Sequence, residues 1–305
     1  MTPNLAHDFL ALFGMCRIQV SRLIHGALIL VALSILSICG CGSNRSAWVG
    51  SGDPPDIQGV ILWHDLLTTD AAQARDFYGA LFGWRYGSQG HYSAVLTDGR
   101  EIGGIVEIPT TGDTPVAARW IPSLSVKNLE RAMAHTEASG GQINEGPMDM
   151  GQRGTGVLVR DAGGAQLVLL DAATTDSVDR TLQLNDWLWD ELWTEDPQES
   201  LDFYGNLAGF SGNEKRDGYW ILKSDGKWRA GLRKLFNRHL AQRWVPVVRV
   251  ADPEQAGQRA EKLGGRVLIG VVDAPEDRRA ALIADPAGAL LIVQEWPDKF
   301  TQGAK

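Results

Sequence analysis

The chain states one pattern twice. Residues 63–84 read WHDLLTTDAAQARDFYGALFGW, and residues 189–210 read WDELWTEDPQESLDFYGNLAGF. An offset of 126 residues aligns Trp63 with Trp189, Leu66 with Leu192, Thr68 with Thr194 and Asp70 with Asp196. It also superimposes Asp76-Phe77-Tyr78-Gly79 on Asp202-Phe203-Tyr204-Gly205, and Gly83 on Gly209. Such a duplication constrains architecture strongly, because each copy is a supersecondary unit that must bury its apolar face against another.

Each copy reads as a strand followed by a helix. Residues 60–68 are rich in Ile, Leu and Trp and stop at Thr69-Asp70. Asp70 and Gln73 are placed for a capping box, as are Asp196 and Glu199, with Pro197 at the first helical position. Ala74, Phe77, Tyr78 and Leu81 have helical spacing, and Gly83 and Gly209 end the helices. A second kind of unit starts at WIPSLSV (residues 120–126) and at WVPVVRV (residues 244–250). Its helices begin at Asn128 and at Asp252-Pro253 and end at Gly140-Gly141 and Gly264-Gly265. Turn signals at Asp98-Gly99, Asp225-Gly226, Asp161 to Gly164 and Asp285 to Gly288 separate short apolar runs. The pattern predicts four strand-helix-three-strand units, two per domain, in an α+β fold.

An apolar strand, an Asp, a helix ending F-Y-x-x-L-x-G-[WF], then W-x-P-x-x-x-V, a Gly-Gly pair and D-x-x-G resembles the vicinal oxygen chelate superfamily. That group includes glyoxalase I, bleomycin-resistance proteins and extradiol dioxygenases. The resemblance covers residues 57–172 and 182–296. It implies tandem glyoxalase-like domains, each made of two βαβββ units that form a cupped mixed sheet with helices outside the cup. The expected boundaries are domain 1 at 57–173, a linker at 174–182, domain 2 at 183–297 and a tail at 298–305.

In metal-using relatives the resemblance places a His or Gln on the first strand of a unit and a Glu on its last. Counting from the helix-starting residues, the first-strand positions are Trp63, Trp189, Ile121 and Val245; the last-strand positions are Val168 and Ile292. None supplies the oxygen or nitrogen donor that a divalent ion needs. The expectation is therefore no metal site and no cofactor. His64 stands one residue past the ligand position, so strand alternation turns it toward the helix layer. His91 suits a solvated strand edge, His135 a wet helix face, and His239 has no evident role.

Alternation also predicts what the cups contain. Trp63, Asp65, Trp189, Glu191, Trp193 and Arg249 are the candidate ligand-binding residues, an aromatic floor with one carboxylate per domain. Such a pocket suits a small aromatic or cationic ligand. The alternative is that the Trp rings fill a vacated cavity and that Glu191 pairs with Arg249. Asp65 or Glu191 could serve as a general base if the tryptophans desolvated it. No nucleophile elbow or phosphate loop occurs, and no Cys follows Cys41. The functions in view are a metal-free binding protein, a lyase, isomerase or dioxygenase with relocated metal ligands, and a non-catalytic scaffold.

Composition limits the partners and the N-terminus suggests an address. A net charge of -8 without a basic stripe argues against nucleic acid. Arg17 and Arg22 precede an apolar run over residues 23–39, cut short by Gly40-Cys41-Gly42-Ser43. A run this short, with small residues after it, reads as a signal peptide. Its end resembles a bacterial lipobox, with Cys41 the acylated residue and Cys39 the other candidate. A retained single-pass anchor is the rival reading, and Met15 competes with Met1 as the start. The expectation is a signal over 1–41, a flexible tether over 42–56, and a lipid-anchored protein on the outer membrane facing the periplasm.

Overall fold

The computed structural model describes residues 57–89, 91–110, 117–174, 183–216, 218–235, 241–274 and 278–296. The signal peptide, Cys41, the tether, most of the linker, His239 and the tail lie outside the described residues. No helix of the described residues is long and apolar enough to cross a membrane.

Four units follow one another, as the repeat predicts. The first is β1 (Ile61–Thr68), α1 (Ala71–Phe82), β2 (Arg85–Gln89), β3 (Tyr92–Thr97) and β4 (Arg100–Glu107). The second is β5 (Arg119–Ser125), α2 (Leu129–Ala138), β6 (Gln142–Asp149), β7 (Gly154–Arg160) and β8 (Gln166–Ala172). Domain 2 repeats them as β9 (Trp187–Thr194), α3 (Pro197–Ala208), β10 (Ser211–Arg216), β11 (Tyr219–Ser224) and β12 (Lys227–Lys234), then β13 (Arg243–Val250), α4 (Pro253–Lys262), β14 (Arg266–Ala274), β15 (Arg278–Ala284) and β16 (Leu290–Glu295).

The caps form where the side chains allow. Asp70 accepts from the Gln73 amide, Asp196 from Gln198 and Glu199, Asn128 from Arg131, and Asp252 from Glu254 and Gln255. Gly83 and Gly209 take φ of 77° and 70°, the left-handed geometry that ends a helix without a Cβ penalty. Each domain is one eight-stranded sheet, in the orders β2-β3-β4-β1-β5-β8-β7-β6 and β10-β11-β12-β9-β13-β16-β15-β14. The two units of a domain meet where β1 runs antiparallel to β5, and β9 to β13.

The helices lie outside the cups, yet they are not the outer shell of the molecule. The convex faces of the two sheets pack together, and two of the four buried clusters mix residues of both domains. Phe77, Tyr78, Leu81, Trp84 and Trp120 pack with Trp187, Val248, Ile283 and Val293. Leu124, Val157 and Leu169 pack with Phe203, Tyr204, Leu207 and Trp244. The helix-ending tyrosine of each domain reaches the D-x-x-G aspartate of the other. Tyr78 donates to Asp285 at 3.1 Å and Tyr204 to Asp161 at 2.8 Å. Behind them Trp120 and Trp244 donate to the same two tyrosine oxygens.

Near the pseudo-two-fold axis two residues at equivalent repeat positions meet. His64 Nε2 lies 2.9 Å from Asp190 Oδ1, both buried, with the imidazole against the Trp187 ring at 4.2 Å. His64 thus points away from its cup, as alternation predicts. His135 departs from expectation: it is half-buried, and its Nε2 lies 3.0 Å from the Phe203 carbonyl oxygen across the domain seam. The α2 helix packs on α3, so that face is not free.

Burial raises the carboxyls of Asp161 and Asp285 above the usual range, although hydrogen bonds from the tyrosines and backbone pull the other way. A folded-state pKa above the unfolded one means that the native state holds more protons. This contribution to stability is fully present below the ordinary carboxylate pKa and is lost as pH rises through the raised values. The expected result is that wild type loses more unfolding free energy between about pH 4 and 7 than the Asp161→Asn/Asp285→Asn double variant. Each tenfold difference in proton affinity between folded and unfolded chains that the substitutions remove is worth about 1.4 kcal/mol. Chemical denaturation at several pH values checks this.

Candidate functional site

The two cups hold the remaining buried clusters. In domain 1 these are Leu67, Val106, Ile121, Met148, Met150, Leu158, Val168 and Leu170. In domain 2 they are Trp189, Tyr219, Val245, Val247, Leu282, Ile292 and Trp296, with Trp193 and Trp228 at the rim. Sheet register brings the positions equivalent to metal ligands side by side. Trp63 stands opposite Ser123, and Ser123 opposite Val168; Trp189 stands opposite Val247, and Val247 opposite Ile292. Ile121 and Val245 stand opposite Asp65 and Glu191 in the same sheets and are buried. These side chains do not fit a divalent ion. Among the described residues, no group of three His, Cys, Asp or Glu could hold one.

All six candidate residues fall on the cup faces, and the structure shows what the carboxylates do there. Asp65 is buried and doubly engaged. Trp63 Nε1 donates to its Oδ1 at 3.1 Å, and Arg153 Nη1 donates to its Oδ2 at 2.7 Å. The Arg153 guanidinium also lies 4.9 Å from the Trp63 ring and 5.9 Å from the Tyr92 ring. A carboxylate and two aromatic faces around a cation is the arrangement expected for a bound cationic ligand. The cation here belongs to the chain, delivered by the short 3-10 turn Gly151–Arg153 that closes onto the cup.

Domain 2 builds the same cage from different parts. Arg233 donates to both oxygens of Glu191, at 2.9 and 3.1 Å, and Trp193 Nε1 donates to Oε2 at 3.1 Å. The guanidinium lies 4.8 Å from the Tyr219 ring. This corrects the alternative reading in which Glu191 pairs with Arg249. Arg233 comes from β12, which runs parallel beside β9, and so reaches Glu191 in a bidentate fork; Arg249 Nε instead donates to the Trp296 carbonyl at 2.9 Å. Across the same cup Arg278 stacks on Trp296 at 3.3 Å.

The electrostatics follow from the geometry. Burial, the largest influence, lowers the pKa of Arg153, but the Asp65 carboxylate together with Tyr92 raises it on balance; Glu191 and Tyr219 do the same for Arg233. Burial, followed by the adjacent carboxylate, pushes the Tyr92 and Tyr219 hydroxyls up. These carboxylates are paired with arginine, whereas a general base needs a free carboxylate able to take a proton.

Two glycines make the cages possible. Gly104 pairs with Asp65 and Gly231 with Glu191 on the neighbouring parallel strands. A Cβ on Gly104 would run into the Tyr92 ring and Asp65 Oδ1, and one on Gly231 into the Tyr219 hydroxyl. Tyr219 is buried and has no room to retreat. Gly231→Ala is therefore expected to cost about 1–3 kcal/mol, as overpacking does, measured by urea unfolding. The sequence marked neither these glycines nor Arg153 and Arg233, since a cation delivered by a different strand or turn leaves no local periodicity. Their one signal was the buried carboxylate itself, which demands a partner.

Of the histidines, His91 is exposed just before β3, as expected, and His64 and His135 serve the domain seam. The cavity bounded by His135, Ser139, Asp196, Glu199, Asp202 and Phe203, about 390 Å³, lies at that seam and outside both cups.

Known proteins share this architecture. The family model described as the Glyoxalase/Bleomycin resistance protein/Dioxygenase superfamily matches residues 60–169. "Putative glyoxylase CFP32" of Mycobacterium bovis is 26% identical over 246 residues, covering 77% of this chain and 94% of its own length. The anthracycline biosynthesis protein DauV of Streptomyces sp. (strain C5) is 27% identical over 270 residues, covering 81% and 96%. Among solved structures, the Mn(II)-bound glyoxalase from Novosphingobium aromaticivorans aligns with a TM-score of 0.57 at 12% identity, covering 78% of this chain and 82% of that one. An extradiol ring-cleaving dioxygenase from B. fuscum aligns at 0.55 with 14% identity, covering 80% and 74%. At these identities the structural likenesses speak to fold. Residues 60–169 form a domain of the glyoxalase, bleomycin resistance protein and dioxygenase superfamily, and residues 187–295 repeat its fold.

Proposed function

We propose that this protein is a metal-free, non-catalytic member of its superfamily, working as a binding or scaffold protein with both cups closed by its own side chains. The observation that carries the reading is the cage around Arg153. Asp65, Trp63 and Tyr92 form a cation site already filled from within, beside ligand positions occupied by buried Ile121 and Val168. A free cation would have to displace a half-buried guanidinium that is ion-paired to a buried carboxylate, which costs several kcal/mol before any gain. The relatives' names do not decide the matter, since a shared fold hosts many chemistries and function rests on the site.

A second reading, sequestration of a small aromatic ligand, is favoured by one observation. The domain 2 rim aromatics Trp193 and Trp228 are only half-buried and offer stacking faces outside the Arg153 cage. Isothermal titration of the full chain separates the two. The first reading predicts no heat of binding for methylguanidinium, choline or a catechol at millimolar concentration. Saturable binding of the catechol alone supports sequestration, and saturable binding of either cation contradicts the closed cage. The signal peptide, acylation of Cys41 and a position on the outer membrane facing the periplasm belong to the same proposal, resting on the sequence of residues 17–43.

A further inference from the structure

Four strands end the two sheets, and their edges differ. β10 reads SGNEKR and is almost wholly exposed and polar; β2 reads RYGSQ; β6 reads QINEGPMD, with Pro147 removing a donor. Charge, proline and short polar strands are the usual protections of a sheet edge. β14 reads RVLIGVVDA. Among the described residues the large hydrophobic side chains that stand exposed are Leu184, Ile269 (42%), Val271 (36%) and Val272 (50%). Three of these four fall within four consecutive positions of β14. Its register against β15 shifts between Val267 and Ile269 and again between Ile269 and Val272, so this stretch bulges away from its one neighbour.

We propose that β14 is a self-association surface, through which two copies of this chain meet about a two-fold axis. The ends of the strand carry the argument for a second copy as occupant. Exposed Arg266 opens β14 and exposed Asp273 lies near its close. Two copies laid antiparallel about the point between Ile269 and Gly270 bring each Arg266 against the partner's Asp273, once at either end. A parallel arrangement sets like against like. The same operation sets Ile269 against the partner's Gly270, Val271 against its Leu268 and Val272 against its Val267, so the apolar stretch of one copy covers that of the other, as an isologous patch does. Gly270 sits at the centre, where an added Cβ would meet nothing within 4 Å, so the middle of the contact is flat. The bulges restrict any shared ladder to a few bonds; side-chain burial and the end charges supply most of the contact. An anionic lipid surface fits less well, because the chain carries a net charge of -8 and the nearby Arg279 is engaged by Glu295.

Sedimentation velocity of the full chain over a wide concentration range tests this. The expected result is a monomer–dimer equilibrium that Val272→Asp abolishes, with an unchanged far-UV CD spectrum because the side chain is exposed. Arg266→Asp is expected to weaken the dimer about tenfold, through two lost pairs and two new repulsions, and Arg266→Asp/Asp273→Arg to restore it. A monomer at every concentration overturns the proposal, as does a dimer indifferent to Val272→Asp. Binding of anionic vesicles that depends on Val272, with no dimer, assigns the edge to a membrane and overturns it too.

Discussion

Replacing Arg153 with alanine is expected to destabilise the protein by about 3–5 kcal/mol, because it strands the buried Asp65 carboxylate beneath Trp63 and Tyr92. The size of the effect comes from the charge left behind rather than from the worth of the pair. The double variant Asp65→Leu/Arg153→Met, which removes both charges at similar volume, is accordingly expected to lie within about 1–2 kcal/mol of wild type. Denaturant unfolding gives both values. Ethylguanidinium should recover part of the loss in Arg153→Ala, since the variant leaves a cage of the shape and charge that a guanidinium fits. An Arg153→Ala protein as stable as wild type would show that Asp65 reaches water, and the closed cup would have to be abandoned.

Trp187→Ala is the second large effect, expected at about 3–5 kcal/mol for a buried indole. Trp187 belongs to β9 of domain 2, yet most of its surroundings come from domain 1. Its ring lies 4.2 Å from His64, 5.0 Å from Trp84 and 5.1 Å from Trp120, and its Nε1 donates to the Ile102 carbonyl at 2.8 Å. The variant should therefore weaken the coupling between domains as well as total stability. Urea unfolding followed by two probes, tryptophan fluorescence and far-UV CD, is expected to give coincident transitions in wild type and separated ones in the variant. Coincident transitions with a loss below about 1 kcal/mol would mean that the domains hold together elsewhere.

The fold was legible because its signals are local. The capping aspartates, Pro197, the stop glycines and the D-x-x-G turns each specify backbone geometry within four or five residues, and the repeat then supplies the second domain. The cup faces of β1 and β9 followed from alternation, which placed Trp63, Asp65, Trp189 and Glu191 on one side and His64 on the other. What sequence could not supply was who meets whom across long separations. Arg153 is 88 residues from Asp65, and Asp285 is 207 residues from Tyr78. The FYG and D-x-x-G elements read as a helix end and a turn; that they clasp one domain to the other depends on how two sheets stack back to back. The alternative pairing of Glu191 with Arg249 failed for the same reason, since Arg233 and Arg249 both lie on strands beside β9 and only register decides which fork reaches the carboxylate.

Interior chemistry separates this chain from the metal-bound relatives whose fold it shares. A divalent ion at the base of either cup would have to bind among buried Ile121, Val168, Val245 and Ile292, and would sit close to guanidinium groups that already neutralise the nearest carboxylates. Repulsion and the lack of donors act in the same direction. Metal content of the purified full chain, equilibrated with manganese, iron, nickel and zinc and then passed through a desalting column, tests this most directly. The expected result is far less than one equivalent of any of them per chain. One tightly held equivalent, lost together with stability when Asp65 or Glu191 is replaced, would contradict it.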